Sequence, residues 1–153
     1  RFAANAEDIT FTTGFSLGLN YFVNRNITLN GNYSWNQIFK KSDDPLIPAF
    51  NTPAHKFNVG VNLRDLQFLN SDKWGVAANF RWVEGYTFES SPQFSGRIPA
   101  QMHLNANISR SIPALNMTLR ISGSNLLNRL QNGLYGGPLI GRFIFASARF
   151  NIK

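Results

Sequence analysis

From Asp8 the chain reads DITFTTGFSLGLNYFVN. Ile9, Phe11, Phe15, Leu17, Leu19, Tyr21 and Val23 share one parity, whereas Thr10, Thr12, Gly14, Ser16, Gly18 and Asn20 share the other. A period of two predicts a β-strand with one apolar and one polar face. The run is longer than the roughly 3 to 10 residues usual in globular sheets. It suits a tilted strand that crosses a bilayer, where about 9 to 11 residues span the apolar layer.

The pattern recurs along the chain. After a short turn at Asn24-Arg25-Asn26, ITLNGNYSWNQIFKK sets Ile27, Leu29, Tyr33, Trp35 and Phe39 against Thr28, Asn30, Asn32, Ser34, Asn36 and Lys40. Residues 41–54, with Pro45, Pro48, Pro53 and the adjacent acids Asp43 and Asp44, cannot continue a central strand and read as a long loop. HKFNVGVNLRDL then sets Phe57, Val59, Val61 and Leu63 against Lys56, Asn58, Asn62 and Arg64. A modest connection leads into WGVAANFRWVEGYTF, where Trp74, Val76, Ala78, Phe80 and Trp82 alternate with Gly75, Ala77, Asn79 and Arg81. A second long loop covers 89–99. QMHLNANISRSI, a short turn at Pro113-Ala114-Leu115-Asn116, and MTLRISGSN follow, then a third long loop and GRFIFASARFNIK. In this last segment Ile144, Ala146, Ala148, Phe150 and Ile152 oppose Ser147, Arg149 and Asn151.

The expected fold is therefore all-β, with about seven strands joined alternately by short and long connections. Short turns at one end and long loops at the other describe a transmembrane antiparallel β-barrel, with short periplasmic turns and long extracellular loops. In a soluble sandwich the same apolar face would be core and the polar face solvent surface. Tryptophan placement favours the membrane. At about 2.5 Å of height per tilted residue, Trp35 and Trp82 stand some 20 Å above the start of their strands and Trp74 sits at the foot of its own. Outward tryptophans near two levels match interfacial aromatic belts.

Composition agrees with that picture. Aromatics make up 14% of the chain, with 14 Phe, and charged residues only 15%, against roughly 25% in typical soluble domains. Mean hydropathy is −0.19, and no run approaches the roughly 18 apolar residues of a spanning helix. There is no Cys, which excludes a disulfide scaffold or a thiolate metal site. The net charge of +7 comes from scattered Lys and Arg, the pattern of a solvated or lumenal face; no nucleic-acid partner is expected. The opening Arg-Phe-Ala-Ala-Asn lacks an initiator Met and a signal sequence, so a mature or truncated segment is expected.

Two short elements add a resemblance. Gly123-Ser124-Asn125-Leu126-Leu127-Asn128 resembles the G-x-N-L-[FL]-[DN] element shortly before the last strand of TonB-dependent outer-membrane receptors. Asn51-Thr52-Pro53-Ala54-His55-Lys56-Phe57 resembles the N-x-P-x-H-x-[FL] element that opens a descending strand in the same barrels, and Trp74-Gly75 fits the foot of an ascending one. The likeness spans essentially the whole chain and is closest to receptors of Bacteroidetes-type bacteria. It implies that residues 1–153 form the C-terminal segment of a barrel of about twenty-two strands, starting in an extracellular loop, with the plug domain and N-terminal strands absent. It further implies the bacterial outer membrane as location, outer-membrane lipid as surroundings, a TonB-type energy-transducing protein acting through the plug, and a surface lipoprotein as a further possible partner. The function implied is active uptake of a scarce solute such as a siderophore, glycan or peptide.

No catalytic constellation is evident, and no cofactor or metal is expected. His103 and Ser109 lie six residues apart on one strand, about 20 Å, too far for a hydrogen bond. Solute contacts, from position alone, would fall to Asn36, Lys40, Lys56, Gln101 and His103 at the upper polar face and to Phe50 and Phe94 in the loops. The competing readings are a complete eight-stranded structural or interaction barrel of the OmpA or OmpX sort, and an outer-membrane hydrolase.

Overall fold

The computed structural model describes residues 11–38, 51–67, 73–91, 94–132 and 135–151. Ile9, Phe39, Lys40, Asp43, Asp44, Phe50 and Ile152, singled out above, lie outside them.

Alternation over the first two segments yields β1 (Thr12–Phe22) and β2 (Ile27–Ile38). The turn between them is closed by the Asn24 side chain, whose Oδ1 accepts from the backbone N–H groups of Asn26 at 2.8 Å and Ile27 at 2.9 Å. β3 (His55–Leu66) and β4 (Lys73–Val83) follow. β4 ends at Val83, earlier than the sequence pattern suggests. Tyr86–Ser91 forms a separate strand, β5, which pairs with β6 (Phe94–Ile98), so the connection expected as a loop carries a hairpin of its own. β7 (Gln101–Ile112) leads through a 3₁₀ turn at Pro113–Leu115 into β8 (Met117–Ser124). Asn116, at φ 48°, closes that turn in the left-handed region that Asn tolerates. The two-residue strands β9 (Gln131–Asn132) and β10 (Leu139–Ile140) pair with each other, and β11 (Phe143–Phe150) is last.

Seven of these strands form one antiparallel sheet in the order β1-β2-β3-β4-β7-β8-β11, an up-and-down meander. Register follows the side-chain pattern, because slipping any pair by one residue would put its apolar set on the polar face. One row runs Tyr21, Leu29, Val61, Ala78, Ala106, Gly123 and Ile144 from strand to strand across the whole sheet. The adjacent polar row runs Thr28, Asn62, Ala77, Asn107 and Ser122. The short connections all fall at one end of the sheet and the long ones, at 39–54, 84–100 and 125–142, at the other.

Among the described residues no second layer lies on either face. Among the described residues the buried apolar side chains are Val83 and Ile98, and the buried polar ones Asn125 and Gln131. The chain exposes 11543 Å², about half as much again as the roughly 7,800 Å² of a compact monomer of 17.2 kDa. Leu17, Leu19, Tyr21, Ile121, Ile144 and Phe150 are all more than half exposed on the apolar face. Among the described residues the outer edges of β1 and β11 have no partner strand, and the sheet is not closed on itself.

Candidate functional site

The loop end of the sheet is a polar region built from three connections that bind one another. The first is tied to the second by Asn51, whose Nδ2 donates to the Glu89 carbonyl at 2.9 Å while its Oδ1 accepts from the Glu89 N–H at 2.8 Å. A side-chain amide thus takes the place of one rung on the β5 edge. The second is tied to the third by a ring triad: Phe88 and Phe94 meet edge-on at 5.9 Å, Phe94 and Tyr135 at 5.6 Å, and Phe88 stacks with Tyr135 at 6.4 Å. Two glycines make room for it. The Tyr135 ring occupies the place of a Cβ on Gly96, and Gly136, at φ 74°, would carry a Cβ 2.9 Å from the Phe94 ring.

The third connection is also stitched to the sheet. Gln131 Oε1 accepts from the Met102 N–H at 2.6 Å and its Nε2 donates to the Met102 carbonyl at 2.6 Å. Gln101 Nε2 donates to the Asn132 carbonyl at 2.6 Å. The 123–128 element is built around Gly123, Asn125 and Asn128. Gly123 lies on the apolar parity without a side chain, and Leu126 folds back over it, so that a Cβ there would sit 2.5 Å from Leu126 Cδ2. Asn125 and Asn128 adopt φ of 49° and 51°. The Asn125 side chain, 3% exposed, donates to the carbonyls of Arg129 at 2.7 Å and Ile140 at 3.0 Å. Asn128 Oδ1 accepts from the Arg142 N–H at 3.0 Å. The element therefore folds the loop back to start β11.

On the apolar face just below the loops, aromatic side chains gather. Phe15 lies 5.8 Å from both Tyr33 and Trp35, Phe57 stacks with Trp82 at 5.5 Å, and the Tyr33 hydroxyl shares a 2.6 Å hydrogen bond with His55 Nδ1. At the opposite end the Arg110 guanidinium lies 5.4 Å from the Trp74 ring centroid.

The residues expected to face a solute are distributed as follows. Lys56 and Gln101 flank Val83 in register, and His103 lies across from Arg81 one row below. These come together on the upper polar face, although the Gln101 amide is engaged with the third connection. Asn36 stands apart, in a groove at the β1–β2 end with Thr12, Ser16 and Thr52, and its Nδ2 is buried with no partner. Phe94 belongs to the triad. Lys40 and Phe50 lie outside the described residues. Reading by parity passed over Arg81, which only pairing brings beside His103. It also passed over Phe145, which sits on the polar side and lines a groove of about 330 Å³ with Asn30, Asn79, Asn105 and Asn107. Among the described residues no group of three His, Asp or Glu side chains is placed to hold a metal ion. No helix among them is long and apolar enough to cross a membrane.

No protein-family model, curated protein or solved structure matches this chain.

Proposed function

We propose that this chain is the C-terminal part of the barrel wall of a TonB-dependent outer-membrane receptor, a transporter that takes up a scarce solute through a plugged lumen. The observation that carries this reading is the seven-stranded sheet whose apolar face no second layer of described residues covers. In water such a face would be an aggregation surface. In a bilayer it is the surface the solvent requires, provided further strands pair the outer edges of β1 and β11. Clustering of the long connections at one end supports an outward-facing loop layer, and the aromatic group around Phe15, Trp35 and Trp82 supports an interfacial belt. The geometry of Asn125, Asn128 and Gly123 supplies a structural reason for the element that resembles the receptor family.

In this reading lipid covers the apolar face, the Asn-rich face lines the lumen or meets the plug, and the three knitted connections form part of the solute entrance. The TonB-type partner acts on the plug and not on these strands; a surface lipoprotein would engage the loop layer.

The test is fractionation with surface labelling. An epitope in the 89–94 connection of the protein expressed from its own gene should partition with outer membranes and be labelled on intact cells. Recovery in a soluble fraction would overturn the reading. A heat-modifiable monomeric barrel formed in detergent by residues 1–153 alone would replace it with the small eight-stranded barrel.

A further inference from the structure

The geometry points to an oxyanion-binding site on the polar face under the loop layer, formed by Lys56, Arg81 and His103; the solute class follows as a small, water-soluble, multiply charged oxyanion carrying phosphate or carboxylate groups. This deepens the receptor reading and rests on it.

Charge on the sheet is segregated. The polar parity of the seven strands carries Lys56, Arg64, Lys73, Arg81, Arg120 and Arg149 and, among the described residues, no Asp or Glu. The described acids lie elsewhere: Asp65 at the β3 irregularity, Glu84 beyond the end of β4, and Glu89 on β5. Glu84 has the opposite parity, and its carboxylate accepts from the His55 N–H at 3.1 Å. Asp65 lies 3.9 Å from Lys73, which offsets that lysine at the turn end.

At the loop end no carboxylate among the described residues plays the same part. Arg81 faces His103 directly across β4 and β7 and Asn58 across β3 and β4. Lys56 pairs with Val83, one step further along the same face, which makes it the diagonal neighbour of Arg81. Lys56 and Arg81 are exposed. Val83, 5% exposed, stands in register between Lys56 and Gln101 at the upper end of the group. Two cations and a histidine held on a rigid sheet, with like charges at diagonal spacing and no acid between them, form a site that an oxyanion completes. A lumenal wall of low dielectric would focus the field of the whole face on such a ligand. A lipid headgroup is disfavoured as its source, because in the receptor reading lipid meets the other face.

The experiment is calorimetric titration of the full-length receptor, purified in non-ionic detergent, with pyrophosphate as the probe and trehalose as the neutral control. Saturable pyrophosphate binding is expected. Arg81→Gln and Lys56→Gln should each weaken it about tenfold, while Lys73→Gln changes it less than about twofold. Absence of saturable binding overturns the proposal, as does equal weakening by Lys73→Gln, which would mean diffuse attraction only. Circular dichroism of each variant reports whether the sheet is retained. His103→Gln provides a further variant in case the Arg81 change fails to fold, and it should weaken binding too; unchanged affinity there removes His103 from the site and overturns the three-residue assignment. Outer-membrane location with no pyrophosphate binding defeats this inference alone, whereas a soluble location defeats the receptor reading.

Discussion

The side-chain amide of Asn125 donates to the carbonyl of Ile140 at 3.0 Å, tying the end of β8 to the residue pair that precedes β11. A loop that leaves the sheet and returns to it is thus closed by one buried side chain. Asn does this well because it tolerates positive φ and offers both a donor and an acceptor. Arg129 N–H donates to the same side chain at 3.3 Å.

Asn125→Ala should therefore remove the cross-loop bonds and strain the left-handed backbone together. A loss of roughly 2 to 4 kcal/mol is expected, from unpaired carbonyls and the φ penalty combined. Asn125→Gly relieves only the strain and should recover about 1 kcal/mol of it. Urea unfolding of the receptor in detergent, followed by tryptophan fluorescence, measures both.

Gly123 and Leu126 should prove coupled. Gly123→Val forces a branched side chain into the place of Leu126 and is expected to cost about 1 to 3 kcal/mol. The Gly123→Val/Leu126→Ala double variant should be more stable than the sum of the single losses predicts, by about 1 kcal/mol or more. Additive losses would show that the contact carries no energy.

Neighbouring residues on β3 offer a test of sidedness. Val61 lies in the apolar row and Asn62 in the polar one. In a bilayer Val61→Arg should cost about 2 to 4 kcal/mol and Asn62→Arg less than about 1 kcal/mol. Equilibrium unfolding in lipid vesicles compares them, and equal losses would contradict a lipid-facing assignment for Val61.

Tyr135 should hold two connections at once. Tyr135→Ala opens the ring triad with Phe88 and Phe94, so protease cleavage is expected to rise several-fold in both the 84–100 and 125–142 segments. The unfolding midpoint of the sheet should scarcely move, since local opening is separable from global unfolding. Limited proteolysis with mass mapping reads this directly.

Strand existence, face and neighbour order were legible along the chain, because a period of two is a local property and each apolar run is bounded by turn residues. The seven segments from β1 to β11 that form the main sheet needed no more than that, and neither did the placing of short and long connections at opposite ends. What alternation could not reveal is where a strand stops being part of the main sheet. Tyr86 and Phe88 continue the apolar pattern of β4 yet belong to a hairpin, since their partners come from β6 and not from β3 or β7.

The same limit applies to the site. Lys56 and His103 could be picked by position near a loop, but Arg81 joins them only through the register of β3, β4 and β7. Gln101 looks free in the sequence and is engaged in the fold, because its amide meets a carbonyl thirty-one residues away. Two neutral-looking motifs likewise acquired their meaning in three dimensions: Gly123 as space for Leu126, and Asn51 as a substitute rung on β5. The sequence by itself determined which residues alternate and hence which face is apolar. Only the tertiary structure decided which polar side chains meet, since those meetings depend on strand pairing across long separations that no local pattern encodes.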